Sequence, residues 1–250
     1  MTTTQLIEQL KIKLHTYMEL SDYDNQSTGL VDLLHEIRQI NRHILSLFPK
    51  NDLALDQAKQ LMRQSNVLRD IDVLMTETLP EHFQLPKKAL SQMQECIREE
   101  RDKQNQKFIY FLNEEFSGFS IEEMGTPINQ ASTQTELKEL EKKVNKTIKL
   151  LTQYDLESKQ AHKLRLKLKR YAHQLNDYYP DERKLLNKIY QLQNGLGQFR
   201  DLAQSAQLLK KLLANSDIDI NEGIATLETM ADKKLREVQQ QARRLLTQKA

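Results

Sequence analysis

Residues 162–170, HKLRLKLKR, decide the character of the fold, because their apolar and basic side chains separate onto two faces of a predicted helix. With about 3.6 residues per turn, Leu164 and Leu168 share one face of this helix. His162 and Arg165 share another face, and the stretch contains no carboxylate. The pattern therefore predicts a helix that packs through its leucines and presents a row of cations.

The composition of the chain favours helices throughout. Only 6 glycines and 5 prolines occur in 250 residues, so few residues are available to close hairpins. Apolar residues make up 38% of the chain, which is enough to bury a core, and the abundant Leu, Gln, Lys and Glu are helix formers. We predict an all-α fold. The net charge is only +2, so any polyanion binding must come from local clustering of cations.

Helical periodicity extends along most of the sequence. The two glycines of NGLG, residues 194–197, predict a break in the seventh helix. The longest stretch without helical periodicity, residues 117–133, predicts a linker between a first repeat, 1–116, and a second repeat, 134–250. The predicted helices lie near residues 3–20, 28–48, 53–78, 86–116, 131–155, 158–178, 183–213 and 219–247.

The two halves of the chain carry the same pair of motifs. H-x-x-R-x-x-x-R begins at His35 within HEIRQINR, and H-x-x-R-x-x-x-K begins at His162. An Arg-Asp pair follows at Arg69, 34 residues after the first histidine, and at Arg200, 38 residues after the second. Because order and spacing agree, we interpret the chain as an internal duplication.

The cation rows point to an anionic ligand. Like charges on neighbouring helical turns repel by a few tenths of a kcal/mol, so the rows do not serve stability. The planar fork of arginine and the point charge of lysine both suit phosphate, and histidine can donate from its ring nitrogens. A bound polyanion would favour the protonated imidazole, so affinity should increase as pH falls.

Structural interpretations of the same residues stay open. The basic faces are then solvated surface, or one histidine is buried and bonded to the backbone. Asp70 or Asp72 would pair with a neighbouring cation and hold the helices together, rather than orient an arginine toward a ligand.

The chain resembles the CHAD family, the conserved histidine α-helical domain, over roughly residues 5–245. The resemblance is carried by LLHEIRQINRHIL with LRDIDVL, and by AHKLRLKLKRY with LQNGLGQFRDLA. It implies a single CHAD domain over residues 1–250, in which two pseudo-symmetric four-helix bundles face each other across a basic cavity. It also implies binding of inorganic polyphosphate and association with polyphosphate granules in bacteria.

The resemblance also implies which side chains bind polyphosphate. They follow the two histidine motifs and the two Arg-Asp motifs, with two further basic residues at the rim. The predicted binding residues are His35, Arg38, Arg42, Arg69, His162, Lys163, Arg165, Lys169, Arg170 and Arg200.

A second hypothesis is that the protein is an enzyme, but few features of the sequence support it. The one E-x-E-x-K spacing, residues 139–143, lies in a predicted helix and not in a strand of the triphosphate-processing CYTH type. The sequence contains no duplicated Glu-x-x-His, no H-E-x-x-H and no Gly-rich phosphate loop. No serine or cysteine nucleophile motif occurs either. We therefore expect no catalytic residue, no metal and no cofactor.

A helical adaptor is a third hypothesis. The long charged helices near 131–155 and 219–247 could dock to a protein or to a nucleic acid. Recognition of single-stranded nucleic acid relies on stacking aromatic residues, and the chain has no Trp, so we expect no nucleic-acid partner. A single cysteine, Cys96, the absence of an apolar signal segment and the absence of a long apolar run favour a cytoplasmic protein without a membrane partner.

Overall fold

The computed structural model is helical throughout the residues that it describes, and no strand occurs among them. The predicted all-α fold class is confirmed. The described residues are 3–23, 28–47, 55–82, 87–116, 134–153, 156–214, 216 and 218–247. The predicted linker, residues 117–133, lies outside them.

The chain divides into two compact units, which are described separately. Unit 1 comprises Met1–Asn129 and Leu208–Asp219, and unit 2 comprises Gln130–Gln207 and Ile220–Ala250. The predicted duplication, and the arrangement of two bundles around a basic cavity, stay predictions.

Helices of unit 1 surround an apolar core. Helix α1 buries one stripe that ends at Tyr17, whose ring contacts Phe108 edge-on at 5.5 Å between centroids. Helical periodicity places Leu33, Ile37, Ile40 and Ile44 of α2 on one apolar face; Ile40 is half-buried and the other three are buried. The elements are α1 (Thr3–Tyr23), α2 (Thr28–Leu47), α3 (Asp56–Gln64), α4 (Asn66–Val73), a π-helical turn (Leu74–Thr78), α5 (Leu79–His82), α6 (Lys87–Tyr110) and a second π-helical turn (Phe111–Glu115).

The segment predicted as a single helix over 53–78 is interrupted at Ser65, between α3 and α4. The Ser65 hydroxyl donates to the Leu61 carbonyl at 2.7 Å, and such back-bonding bends helices. Arg38 of α2 donates to the Met62 carbonyl at 3.2 Å and to Ser65 Oγ at 2.5 Å. A side chain from α2 therefore holds the bend that precedes the Arg-Asp motif.

Unit 2 consists of long helices whose apolar stripes meet in a second core. Leu164, Leu168 and Leu175 of the second histidine helix are buried, as predicted. The carbonyls of Thr152 and Gln153, beyond the end of α7, accept hydrogen bonds from the Arg243 and Gln239 side chains of α10. The helices are α7 (Gln134–Leu151), α8 (Ser158–Tyr178), α9 (Arg183–Leu212), whose last residues from Leu208 belong to unit 1, and α10 (Asn221–Thr247).

The predicted break at residues 194–197 is wrong, because α9 continues without interruption through NGLG. A helical glycine costs about 1 kcal/mol relative to alanine, but Leu192, Leu196 and Phe199 around it are buried in the core. A Cβ added at Gly195 would collide with Val238 of α10. The glycine is therefore a place of close helix packing rather than a helix end.

Candidate functional site

A cavity of about 310 Å³ lies between α8 and α9 of unit 2, and we call it the α8–α9 pocket. Among the described residues, two cations, Lys159 and Arg200, line it together with His162, and none of the lining residues is a carboxylate. The motifs did not include Lys159 among the predicted binding residues. Its position one helical turn before His162 was the signal in the sequence that could have identified it. The pocket is thus a concave site with positive charge on both of its helices.

His162 and Arg200 meet across this pocket. Nη1 of Arg200 lies 2.7 Å from Nδ1 and 3.0 Å from Nε2 of the His162 ring. Partial burial, followed by the positive charges of Arg200, Arg165 and Lys169, lowers the pKa of His162 to about 4. The imidazole is therefore neutral at pH 7 and can accept a hydrogen bond from the guanidinium.

Arg165 lies against the backbone of α9 at a glycine. The guanidinium Nη2 would be 3.5 Å from a Cβ placed at Gly197. Neither Leu196 nor Gly197 has a side-chain oxygen that could accept from this guanidinium. Arg165 therefore packs against α9 at Gly197, and a Cβ at this position would make only an ordinary contact with it.

A second cavity, of about 360 Å³, lies between α2 and α4 of unit 1, and we call it the α2–α4 pocket. His35 and Arg69 line it, as their counterparts do in unit 2, but three carboxylates line it as well. Arg69 Nη1 also pairs with Asp70 Oδ1 at 3.0 Å. The carboxylates that line this cavity are Asp32, Asp72 and Glu77.

The two pockets are built from the same positions of the two motifs. Both take the residues 4 and 3 before the histidine, and both take the residues 3, 4 and 7 after the arginine. The residue 3 before the histidine is Asp32 in one pocket and Lys159 in the other. The residue 3 after the arginine is Asp72 in one and Ala203 in the other. The two pockets therefore repeat the same arrangement of positions, but the charged side chains that line them give opposite net charges.

The model of the CHAD domain family matches residues 30–210, which include both histidine helices and both Arg-Asp motifs. The chain belongs to the CHAD domain family. A solved CHAD domain structure, from the plant Ricinus communis, is similar with a TM-score of 0.65 and 17% sequence identity, over 96% of this chain and 89% of that one. At this identity the likeness shows the fold alone. No curated protein matches the chain.

In this CHAD domain, the cations of the first histidine helix do not form the single row that was expected. Arg38 is only 7% exposed and also donates to Asn66 Oδ1 at 2.9 Å, so its guanidinium is engaged by the α3–α4 bend. His35 is exposed, and its Nε2 lies 2.5 Å from Nε2 of Gln39 on the same helix. Arg42 is half-buried and does not line the α2–α4 pocket.

The remaining predicted residues of the CHAD domain stand on α8 outside the α8–α9 pocket. Lys163 is exposed, and Arg170 is half-buried. Lys169 is half-buried as well, and its charge contributes to the low pKa of His162. Of the ten predicted positions, the structure brings His162 and Arg200 together in one pocket and His35 and Arg69 together in another.

A buried ion pair below the α2–α4 pocket agrees with the structural interpretation of Asp72, although its partner Arg101 was not predicted. Arg101 Nε lies 2.6 Å from Asp72 Oδ1, and both side chains are 4% exposed. Burial raises the pKa of Asp72, and Arg101 opposes that shift. Tyr17 donates to Asn105 Oδ1 at 2.7 Å nearby, and burial raises the pKa of its hydroxyl. Arg101 and Asn105 interrupt an otherwise apolar stripe of α6, which was the signal in the sequence.

Neither a metal-binding cluster nor a membrane-spanning helix occurs among the described residues. No three His, Cys, Asp or Glu side chains among them cluster in a way that would hold a metal ion. Within the same residues, none of the helices has the length and apolar character of a membrane span.

Proposed function

We propose that this CHAD domain binds inorganic polyphosphate, with the α8–α9 pocket as the main contact of unit 2. The observation that carries the proposal is a concave site where Lys159, Arg200 and His162 meet and where none of the described lining residues is a carboxylate. The resemblance of the two motifs to the CHAD family supports the same ligand.

Charge at this pocket favours a polyanion over a neutral ligand. The pKa of His162 is lowered to about 4 by burial and by three surrounding cations, so the unliganded site disfavours further positive charge. A phosphate group would offset both causes, because its negative charge would neutralise the cations and its oxygens would accept from the guanidinium. Binding would also release the counterions of a linear polyanion, which makes affinity fall with salt.

A contribution of unit 1 through His35, Arg42 and Arg69 belongs to the proposal as well, and it should be the weaker one. Carboxylates line the α2–α4 pocket, and like charges would repel phosphate there. Arg38 has its guanidinium engaged by three protein oxygens, so it should act on the fold rather than on the ligand.

The test is a titration of the protein with long-chain polyphosphate at two salt concentrations. Changing Arg165→Gln together with Arg200→Gln should weaken binding at least about tenfold, since Arg200 lines the pocket and Arg165, outside the lining, adds positive charge beside His162. Circular dichroism should show unchanged helix content. Lys138→Gln with Lys142→Gln, on the exposed face of α7, makes the same change in net charge and serves as the control. Equal affinity of the Arg165/Arg200 variant and this control would contradict the proposal.

Three further arms address the alternatives. We expect no release of phosphate from polyphosphate, ATP or triphosphate, with or without divalent metal, because we propose binding without turnover. Single-stranded RNA should compete poorly at equal salt, whereas effective competition would favour an adaptor for nucleic acid. Fluorescence microscopy of the tagged protein should place it in the cytoplasm, at polyphosphate granules, if the family resemblance extends to localisation.

A further inference from the structure

A third cavity, of about 480 Å³, lies between α9 and α10 of unit 2, away from every residue that the two motifs identify. We call it the α9–α10 pocket. Its polar lining consists of three cations and three carboxamides, with no carboxylate. These residues are Lys184, Asn187, Lys188 and Gln191 from α9, and Gln241 and Arg244 from α10.

The cations of this pocket lack an acidic partner within the described part of the chain. Among the described residues, no carboxylate pairs with the side chain of Lys184, Lys188 or Arg244. Other lysines of unit 2 do find one: Lys234 lies 2.7 Å from Glu237. Lys184 and Lys188 stand one turn apart and repel each other, and a cation in the first turn of α9 also opposes the helix dipole. In the absence of a ligand, this cluster costs stability.

The carboxamides add uncharged hydrogen-bond donors to the same space. The Gln241 side chain of α10 donates to Gln191 Oε1 of α9 at 3.3 Å, which ties the two helices together beside the cations. Asn and Gln amides each carry two N–H groups, so they can donate to phosphate oxygens without adding repulsion. The combination suits an anion with several closely spaced oxygens.

The α9–α10 pocket is separate from the α8–α9 pocket, although both use α9. Lys188 and Arg200 are 12 residues apart, which corresponds to about 18 Å along a helix and about 120° around it. A small anion therefore cannot contact both sites at once, whereas a long polyanion that follows the surface of unit 2 can.

We propose that the α9–α10 pocket is a second anion site of this protein and takes phosphate groups of inorganic oligophosphate. The choice of phosphate chains as the ligand rests on the proposed function, whereas the anion site itself does not. When one long chain occupies both pockets, the second contact becomes intramolecular, and the affinity for long chains rises above the affinity for short ones.

The experiment is calorimetric titration with tripolyphosphate at low salt. The wild-type protein should show two sites. Changing Lys184→Gln, Lys188→Gln and Arg244→Gln together should remove one of them and leave the other unchanged. The Arg165→Gln/Arg200→Gln variant should lose the site that the first variant keeps. With long-chain polyphosphate, the Lys184/Lys188/Arg244 variant should bind at least about tenfold more weakly than wild type.

A control variant with the same loss of three charges is available on α7, where Lys138, Lys142 and Lys146 are exposed and line none of the three pockets. Changing these three lysines to Gln should keep both sites. If the Lys184/Lys188/Arg244 variant matched this control in stoichiometry and affinity, the second site would be refuted while the α8–α9 pocket could stand. If that variant loses a site and the Arg165/Arg200 variant loses none, the second site is supported and the α8–α9 pocket is not.

Discussion

Arg38 and Arg165 stand at the same position of the H-x-x-R motif, yet their guanidinium groups meet different surroundings. Arg38 meets Ser65 and Asn66, whose side-chain oxygens accept its hydrogen bonds at 2.5 and 2.9 Å. Arg165 lies instead against α9, where its Nη2 would be 3.5 Å from a Cβ placed at Gly197. A guanidinium that already satisfies protein oxygens gains little from a phosphate, so residue type alone does not assign the two arginines the same role.

The pH dependence of binding should follow His162. Its pKa is about 4 in the unliganded protein, and a bound phosphate would raise it, so binding should take up a proton. Affinity should therefore increase as pH falls from the raised pKa of the complex toward about 4, and level off below that value. Calorimetry in two buffers with different ionisation enthalpies at pH 6 measures this proton uptake, which His162→Gln should reduce.

Stability without ligand should change in the opposite direction. The folded-state pKa of His162 is lowered below its ordinary value of 6.5, so the unfolded chain binds the proton more readily. Its contribution to stability is fully present above pH 6.5 and is lost as pH falls toward about 4. In the binding experiment at pH 6, a His162→Gln variant that takes up as many protons as wild type would show that another group titrates.

At the level of the helix, α9 illustrates how two neighbouring glycines can have different functions. Gly195 allows Val238 of α10 to approach the helix, whereas a Cβ at Gly197 would make only an ordinary contact with Arg165 of α8. Because α9 lines both the α8–α9 and the α9–α10 pockets, its continuity through NGLG sets the separation of the two sites. A break at the glycines would uncouple them.

Alanine substitutions at the two glycines should have opposite effects on stability. Gly195→Ala gains about 1 kcal/mol of helix propensity but forces an overlap with Val238, so we expect a net destabilisation of about 1–2 kcal/mol. Gly197→Ala meets only an ordinary contact with Arg165 and should stabilise by up to about 1 kcal/mol. Urea denaturation measures both changes. Combining Gly195→Ala with Val238→Ala should recover part of the loss, and strict additivity would contradict the packing explanation.

At the level of the whole molecule, the two units repeat a geometry and differ in charge. Each has a pocket formed by a histidine helix and an Arg-Asp helix, but carboxylates line the pocket of unit 1 and cations the pocket of unit 2. The buried pair of Asp72 and Arg101 also ties the carboxylate of unit 1 into the core below the pocket. A duplicated motif therefore does not imply equal binding by its two copies.

Arg69 and Arg200 stand at matching positions of the two Arg-Asp motifs, so substituting each one compares binding by the two units. Arg200→Gln should weaken binding of long-chain polyphosphate more than Arg69→Gln, by about threefold or more, because three carboxylates line the pocket that contains Arg69. Parallel titrations at one salt concentration measure the difference. Equal losses would mean that the carboxylates of the α2–α4 pocket do not limit binding by unit 1.

The sequence by itself determined the all-α class, most helix limits and the histidine and Arg-Asp motifs. Helical periodicity is a local property, and it correctly predicted that Leu33, Ile37, Leu164 and Leu168 are buried. Only the tertiary structure decided that α9 continues through NGLG, that Arg38 holds a helix bend, and that Lys184, Lys188 and Arg244 form one basic pocket. Each of these depends on side chains from another helix, and the energy of such contacts can outweigh the local preference of a glycine or the solvation of a cation.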